Sequence, residues 1–473
     1  MRQYFLLLSI LFAASSFAQQ YDVVIEGGRV MDPESGLDDV RNVGILNGKI
    51  ARISADALAG TRVLNAKGLV VSPGFVDLHQ HGQDVESGRV KAFDGVTTAL
   101  EMEIGVPDVA EFLAKKQGHS LINYGTSASH VAARAMVFGA PLPAGTLLPV
   151  AGIATDRPAT DEQIRSVQDR LRHELDAGAI GVGMGIEYTP GATRFEVIQT
   201  FRLAAERRVP LFVHIRSEAP RMQPDSAIES VDEVIGAAAI TGASLHIVHV
   251  NSMCMKDSTE CLSMVAGARA RGLDVTVEAY PYTAAMTYIN SAAFNPGWRE
   301  KNGIDYGDLQ LPDSPERLTK EQFEPLHASS KPQLVLMHLN PEELVDQIIR
   351  DPLVMIASDG APGHPRNAGT FSRILARHVR QLGSLTLMDA LRKMSLMPAQ
   401  RMEKSRVDAR RKGRLQVGAD ADVIAFDALA VKDNATYQAP MAPSTGMQFV
   451  IVNGTVLIDR GKLVANTFPG KAL

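Results

Sequence analysis

Residues 69–81 read LVVSPGFVDLHQH, an apolar run from Leu69 that stops on two imidazoles, His79 and His81. Side chains two apart on a strand point to the same side. The two rings are therefore presented together, a donor pair that suits zinc and similar metals. Further apolar, strand-like runs follow at Val96–Ile104, Ile122–Ala128, Ala179–Ile186, Val209–Ile215, Ser244–Val250, Asp274–Ala279 and Leu353–Ala357. Amphipathic stretches such as Asp161–Ala177, Phe195–Arg208, Ser226–Thr241 and Glu342–Arg350 lie between them. This alternation argues for parallel strands joined by helical crossovers. The expected class is α/β: a (β/α)8 TIM-like barrel over residues 73–412, with its active site at the C-terminal ends of the strands.

Outward from the barrel, both ends of the chain have a different texture. Asp22–Glu26 and Arg62–Asn65 read as strands, and Val43–Leu46 with Lys49–Ser54 as a hairpin across Asn47-Gly48. Asp422–Asp427, Gln448–Val452 and Val456–Asp459 repeat the pattern, with a turn at Asn453-Gly454. These ends predict one small β-sandwich domain formed from both termini, residues 19–72 and 413–473. The segment 286–332 breaks the barrel rhythm, being rich in Pro, Asn and charge. Two readings of it are open, an active-site flap and a surface excursion.

The ends of the later strands carry more donors. The fifth run ends FVHIRSE with His214, the sixth HIVHVN with His249, and the eighth IASDG with Asp359. Singly, each reads as a buried, hydrogen-bonded histidine or a turn-capping aspartate. Together with His79 and His81 they converge on one mouth of the barrel. His246 lies three residues before His249, on the opposite face, and reads as structural. His130, His338 and His364 stay open as pocket residues, with packing or surface roles as the preferred reading.

In this order the motifs resemble the amidohydrolase superfamily. The closer likeness is to its N-acyl-D-amino-acid deacylase (D-aminoacylase) branch. It is carried by VSPGFVD at Val71–Asp77, GVTT at Gly95–Thr98, EYTPG at Glu187–Gly191 and YPY at Tyr280–Tyr282. SDG at Ser358–Gly360, then His364-Pro365-Arg366, and the tail from Gly413 through GADAD at Gly418–Asp422 to Val452-Asn453-Gly454 complete it. The resemblance implies metal-dependent hydrolysis of a linear amide C–N bond, N-acyl-D-amino acid to carboxylate and D-amino acid. It implies one or two Zn2+, or another divalent metal, held by His79, His81, His214, His249 and Asp359. Asp359 would also carry the proton from water to the leaving nitrogen, and Tyr188 would face the scissile carbonyl. Arg216 and Arg366 are candidates to hold a substrate carboxylate through paired hydrogen bonds, with an ion-pair role as the alternative. Tyr282 is expected to line the pocket.

The chain departs from that pattern in two places. Many superfamily members bridge two metals with a carboxylated lysine after the fourth strand, and D-aminoacylases use a cysteine after the second. The fourth run, Ile180–Ile186, offers no lysine, and the second reads ALEMEIG over Ala99–Gly105 with no cysteine. Glu101 and Glu103 share one face there. An anionic oxygen can replace the thiolate and relaxes the preference for zinc. Glu103, nearer the strand end, is the favoured ligand; Glu101 stays open, as does a supporting role for both. Asn251 stands two after His249, where a lysine near the substrate carbonyl is usual, and donates without charge. Competing activities are dipeptide hydrolysis and cyclic amide hydrolysis of the dihydroorotase or hydantoinase kind. Outside catalysis, the rival is an exported ligand-binding protein.

Composition limits the partners. The chain has 473 residues, 21% of them charged, with a net charge of -5 and no basic run interleaved with aromatics, so a small molecule is expected and nucleic acid is not. Residues 1–18 match a secretory leader: Arg2, the apolar run Phe5–Phe12, then Ser16-Phe17-Ala18. The expectation is export, periplasmic or secreted, with no membrane association after cleavage. Oligomeric state is not legible. Cys254 and Cys261 are the only cysteines. An oxidising compartment permits a disulfide; their spacing excludes one within a regular helix and allows one in a loop. Intact-mass analysis of exported protein should give a chain beginning at Gln19. A mature chain that retains Met1–Ala18 would contradict the leader.

Overall fold

The computed structural model describes residues 20–312 and 314–473; the expected leader lies outside them. All eight apolar runs supply a barrel strand: Phe75–Asp77, Val96–Val106, Asn123–Ser129, Val182–Gly185, Leu211–His214, Leu245–Ile247, Val275–Ala279 and Val354–Ile356. They pair in chain order and in parallel. The ring closes where the amides of His81 and Gly82 donate to the carbonyl of Gly360. Val76, Leu78, Leu100, Met102, Phe212 and Val248 cluster as one buried core, so the barrel is packed rather than open. Helices cover the outside, several of them by burying one stripe. In Asp161–Asp176 the stripe is Ile164, Val167, Leu171 and Leu175, and Thr160 with Gln163 forms a capping box at its start.

Nine strands from both ends of the chain form a separate mixed sheet. Its seam is the antiparallel pairing of Val70–Pro73 with Val423–Phe426. The arms also meet at their far ends, where Ile50 donates to the Ala419 carbonyl, Ala421 donates to that of Gly48, and Lys49 pairs with Asp420. Val23, Ile25, Val43 and Ile45 of one arm thereby share a core with Val423, Phe449 and Ile451 of the other. The two layers expected of a sandwich are thus arms of one hydrogen-bonded sheet.

The segment that breaks the rhythm is a three-stranded antiparallel sheet of Ala284–Tyr288, Leu309–Gln310 and Leu334–His338. It is wider than the expected 286–332. Its core of Phe294, Trp298, Phe323 and Val335 continues onto Ile104 and Tyr188 at the barrel mouth. Cys254 and Cys261 are joined in a disulfide. Among the described residues no helix is long and apolar enough to cross a membrane.

Gly74 turns the chain from the terminal sheet into the first barrel strand. A Cβ there would run into the side chain of Thr97, closer than real Cβ atoms come. Thr97 is fully buried and β-branched, so it has little freedom to move aside. Gly74→Ala should therefore destabilise the fold by about 1–3 kcal/mol, the usual cost of overpacking. Urea unfolding checks this, and an unchanged midpoint would contradict it.

Candidate active site

The donors expected from six places in the sequence meet at the barrel mouth as two groups. In the first, Nε2 of His79 lies 3.1 Å from Nε2 of His81, and each lies 3.1 Å from Oε2 of Glu103. Asp359 Oδ1 is 3.4 and 3.2 Å from the same two nitrogens. In the second, Glu103 Oε1 lies 2.7 Å from His214 Nδ1 and 2.8 Å from His249 Nε2. One carboxylate thus belongs to both groups, one oxygen to each. The first strand's ladder ends at Asp77, so His79 and His81 lie beyond it and not on it. His249 and Asp359 have φ of 27° and 49°, a left-handed backbone rarely adopted outside glycine. Such strain is tolerated where the surroundings enforce it, and it gathers at functional sites.

The rings are oriented from behind. Nδ1 of His79 lies 2.6 Å from Glu278, whose other oxygen is 2.9 Å from His246 Nε2. Nδ1 of His81 lies 2.7 Å from Glu101 Oε2, while the amides of Ile104 and Gly105 donate to the other Glu101 oxygen. Glu101 is therefore placed behind a ring, and Glu103 between the two groups. With Nδ1–H donated to a carboxylate, each Nε2 presents a lone pair to the cluster. Two lone pairs 3.1 Å apart repel unless a cation lies between them. That geometry, with imidazole and carboxylate donors, fits a divalent metal in each group.

Charge at the site is set by its neighbours. Burial alone would raise the Glu103 carboxyl, but the facing His79 and His249 hold it well below the ordinary range. Burial likewise opposes the charge on Asp359, and Arg366 and His79 outweigh it. Nη2 of Arg366 donates to Asp359 Oδ2 at 2.8 Å, leaving Nε and Nη1 without partners. The Tyr188 ring stands 4.7 Å from that of His214, and its hydroxyl accepts from Thr287 at 3.2 Å. Burial and the charges of Glu103 and Glu187 push its phenol well above the usual value, so it stays protonated. A cavity of about 360 Å³ opens over these groups, walled on one side by Met286, Thr287, Tyr288 and Met337 of the inserted sheet.

Three expected substrate contacts are absent from the lining of this cavity. Arg216 grips Glu233 with two hydrogen bonds of 2.8 and 2.7 Å and donates to the carbonyls of Pro190 and Ala192, away from this cavity. The Asn251 amide closes on the backbone of Tyr280, donating to its carbonyl at 3.2 Å and accepting from its amide at 3.4 Å. The Tyr282 hydroxyl donates to the Pro365 carbonyl outside the cavity. Of the proposed carboxylate holders, Arg366 alone lines it. Sequence reading missed Glu278, Glu187 and Lys301. The signal for Glu278 was a single acid inside the apolar run at Val275–Ala279. Glu187 sits 3.0 Å from His214 Nε2 and accepts from Lys301 of the insertion at 2.7 Å.

The sequence profile of the amidohydrolase family matches residues 62–458. This chain belongs to that family. The amidohydrolase is 31% identical to an N-acyl-D-glutamate deacylase of Alcaligenes xylosoxydans xylosoxydans, over 93% of this chain and 94% of that one. It is 28% identical to a D-aminoacylase of the same organism, over 93% and 95%. The crystal structure of an N-acyl-D-glutamate deacylase from Bordetella bronchiseptica, complexed with zinc and a phosphonate inhibitor, superposes with a TM-score of 0.80 at 25% identity, covering 96% of this amidohydrolase and all of that chain. A D-aminoacylase structure shares the fold, with a TM-score of 0.81 at 23% identity and coverage of 96% and 99%. The family and the donor set together make this a metal-dependent amidohydrolase.

If Glu103 joins the two groups, Glu103→Ala should empty both, with bound zinc falling to under about a tenth of wild type. Removing a supporting group is milder, and Glu101→Gln should weaken metal affinity about 10–100-fold. Metal analysis after equilibrium dialysis measures both. Stoichiometric zinc in Glu103→Ala would contradict the shared-ligand geometry.

Proposed function

We propose that the enzyme hydrolyses the linear amide of N-acyl-D-amino acids, releasing a carboxylate and a D-amino acid. The observation that carries this is Asp359, which has one oxygen on the donor cluster and the other held by the cavity-lining Arg366, whose Nε and Nη1 have no hydrogen-bond partner. A bound divalent ion supplies a Lewis acid and lowers the pKa of water toward neutrality. Asp359 takes the proton from the attacking water and delivers it to the leaving nitrogen. Tyr188, kept protonated, donates to the carbonyl oxygen as negative charge develops there. The free N–H groups of Arg366 hold the substrate carboxylate. The D-specificity is supported by similarity to relatives named as acting on D-amino acids. The fourth strand, Val182–Gly185, offers no lysine, in keeping with the D-aminoacylase likeness. We place the enzyme outside the cytoplasm, in keeping with residues 1–18 and with a disulfide that an oxidising compartment preserves.

Asp359→Asn should keep its zinc and lose about 10²–10⁴-fold in kcat on N-acetyl-D-amino acids. Tyr188→Phe should lose about 10²–10³-fold, the effect of removing one oxyanion donor. Steady-state kinetics on metal-quantified protein decides. Near-normal turnover by Asp359→Asn would reassign the base, and turnover confined to N-acetyl-L-amino acids would overturn the substrate class.

A further inference from the structure

The cavity's charges are unevenly matched. Its lining includes Asp84, Glu103, Glu187, Glu218 and Asp359, and the single lysine or arginine among the lining residues is Arg366. Arg366 pairs with Asp359, Glu103 faces the imidazoles, Glu187 pairs with Lys301, and Asp84 caps a helix by accepting from the amide and hydroxyl of Ser87. Glu218 is left over. It is 4% exposed, lines the cavity, and its Oε2 has no hydrogen-bond partner. The nearest cation, Lys301, stands 3.7 Å away and is already committed to Glu187. Burial, the charge on Glu187 and a hydrogen bond to that carboxylate push the Glu218 carboxyl up to about 8, so a proton between the two acids takes the place of the missing positive charge. A buried carboxyl held this way costs stability unless a ligand supplies the partner.

We propose that Glu218 receives an ammonium group of the substrate, so that the preferred amide carries a positive charge. The ammonium lies either on the acyl side, as in an aminoacyl-D-amino acid, or at the end of a basic D side chain. This inference rests on the proposed amide hydrolysis and narrows it. The same lining offers no second guanidinium or lysine for a side-chain carboxylate, so an acidic D side chain finds no partner there.

Two pairs of compounds differ by little more than the ammonium: L-alanyl-D-leucine against propionyl-D-leucine, and N-acetyl-D-lysine against N-acetyl-D-norleucine. Calorimetry on zinc-loaded Asp359→Asn protein gives their Kd without turnover. The ammonium member of one pair should bind at least about tenfold tighter, a modest share of what close charge pairs contribute. Which pair shows it identifies the source. Adding Glu218→Gln should reduce that ratio to under about threefold. Equal binding within both pairs, a ratio unmoved by Glu218→Gln, or wild-type preference for N-acetyl-D-glutamate would overturn the inference. The pair comparison needs no Glu218 variant, so it holds even if that variant fails to fold. Wild-type protein that turns over none of the four, while the binding ratio persists, would overturn the hydrolase substrate and leave the cation site standing.

Discussion

A single buried carboxylate, Glu103, faces four imidazoles, and most of the site's architecture follows from that contact. An isolated charge at 2% exposure is very unfavourable, so it has to be surrounded by partners of opposite charge or by metal. The second barrel strand, 11 residues long against three to seven for the others, extends to carry Glu103 to the mouth. His79 and His81 come from just beyond the first strand, His214 from the end of the fifth, and His249 and Asp359 from turns with left-handed backbone. Each of these elements would be unremarkable alone. Their common purpose is to aim ring nitrogens and one carboxylate at two adjacent points.

Behind that contact lies a second layer that fixes direction. Glu278 holds His79 and is itself held by His246, and Glu101 holds His81. These acids are on barrel strands, whose ladders and packed core leave little room for drift, and rigid support of this kind is what a preorganised site needs. The inserted sheet adds a different kind of wall. It brings Thr287 to Tyr188 and Lys301 to Glu187, so residues distant in sequence set the charge and hydrogen bonding of the cavity.

Much of this was legible from the order of strands and helices, because eight apolar runs alternating with amphipathic ones leave few topologies. The donors were legible because they sit at strand ends, where position along the chain fixes which end of the barrel they reach. Direction was not legible. Arg216 and Arg366 looked equivalent in sequence, yet Glu233 captures the first, while the second opens onto the cavity. Asn251 lies two residues past a site histidine and turns inward to the Tyr280 backbone. The pairing of Lys301 with Glu187 spans 114 residues and leaves no local pattern to read. The shared strand texture of the two ends showed that they form one domain, but not that hydrogen bonds near Gly48 and Ala421 join its arms into a single sheet.

Whether Glu103 lies between two metal ions can be seen in a crystal structure of the zinc-loaded protein with data collected across the zinc absorption edge. Anomalous peaks are expected on either side of the Glu103 carboxylate, one beside His79, His81 and Asp359 and the other beside His214 and His249. A single zinc at one group with Glu103 turned away from it, or zinc bound elsewhere, would rule out a carboxylate shared between two metal sites.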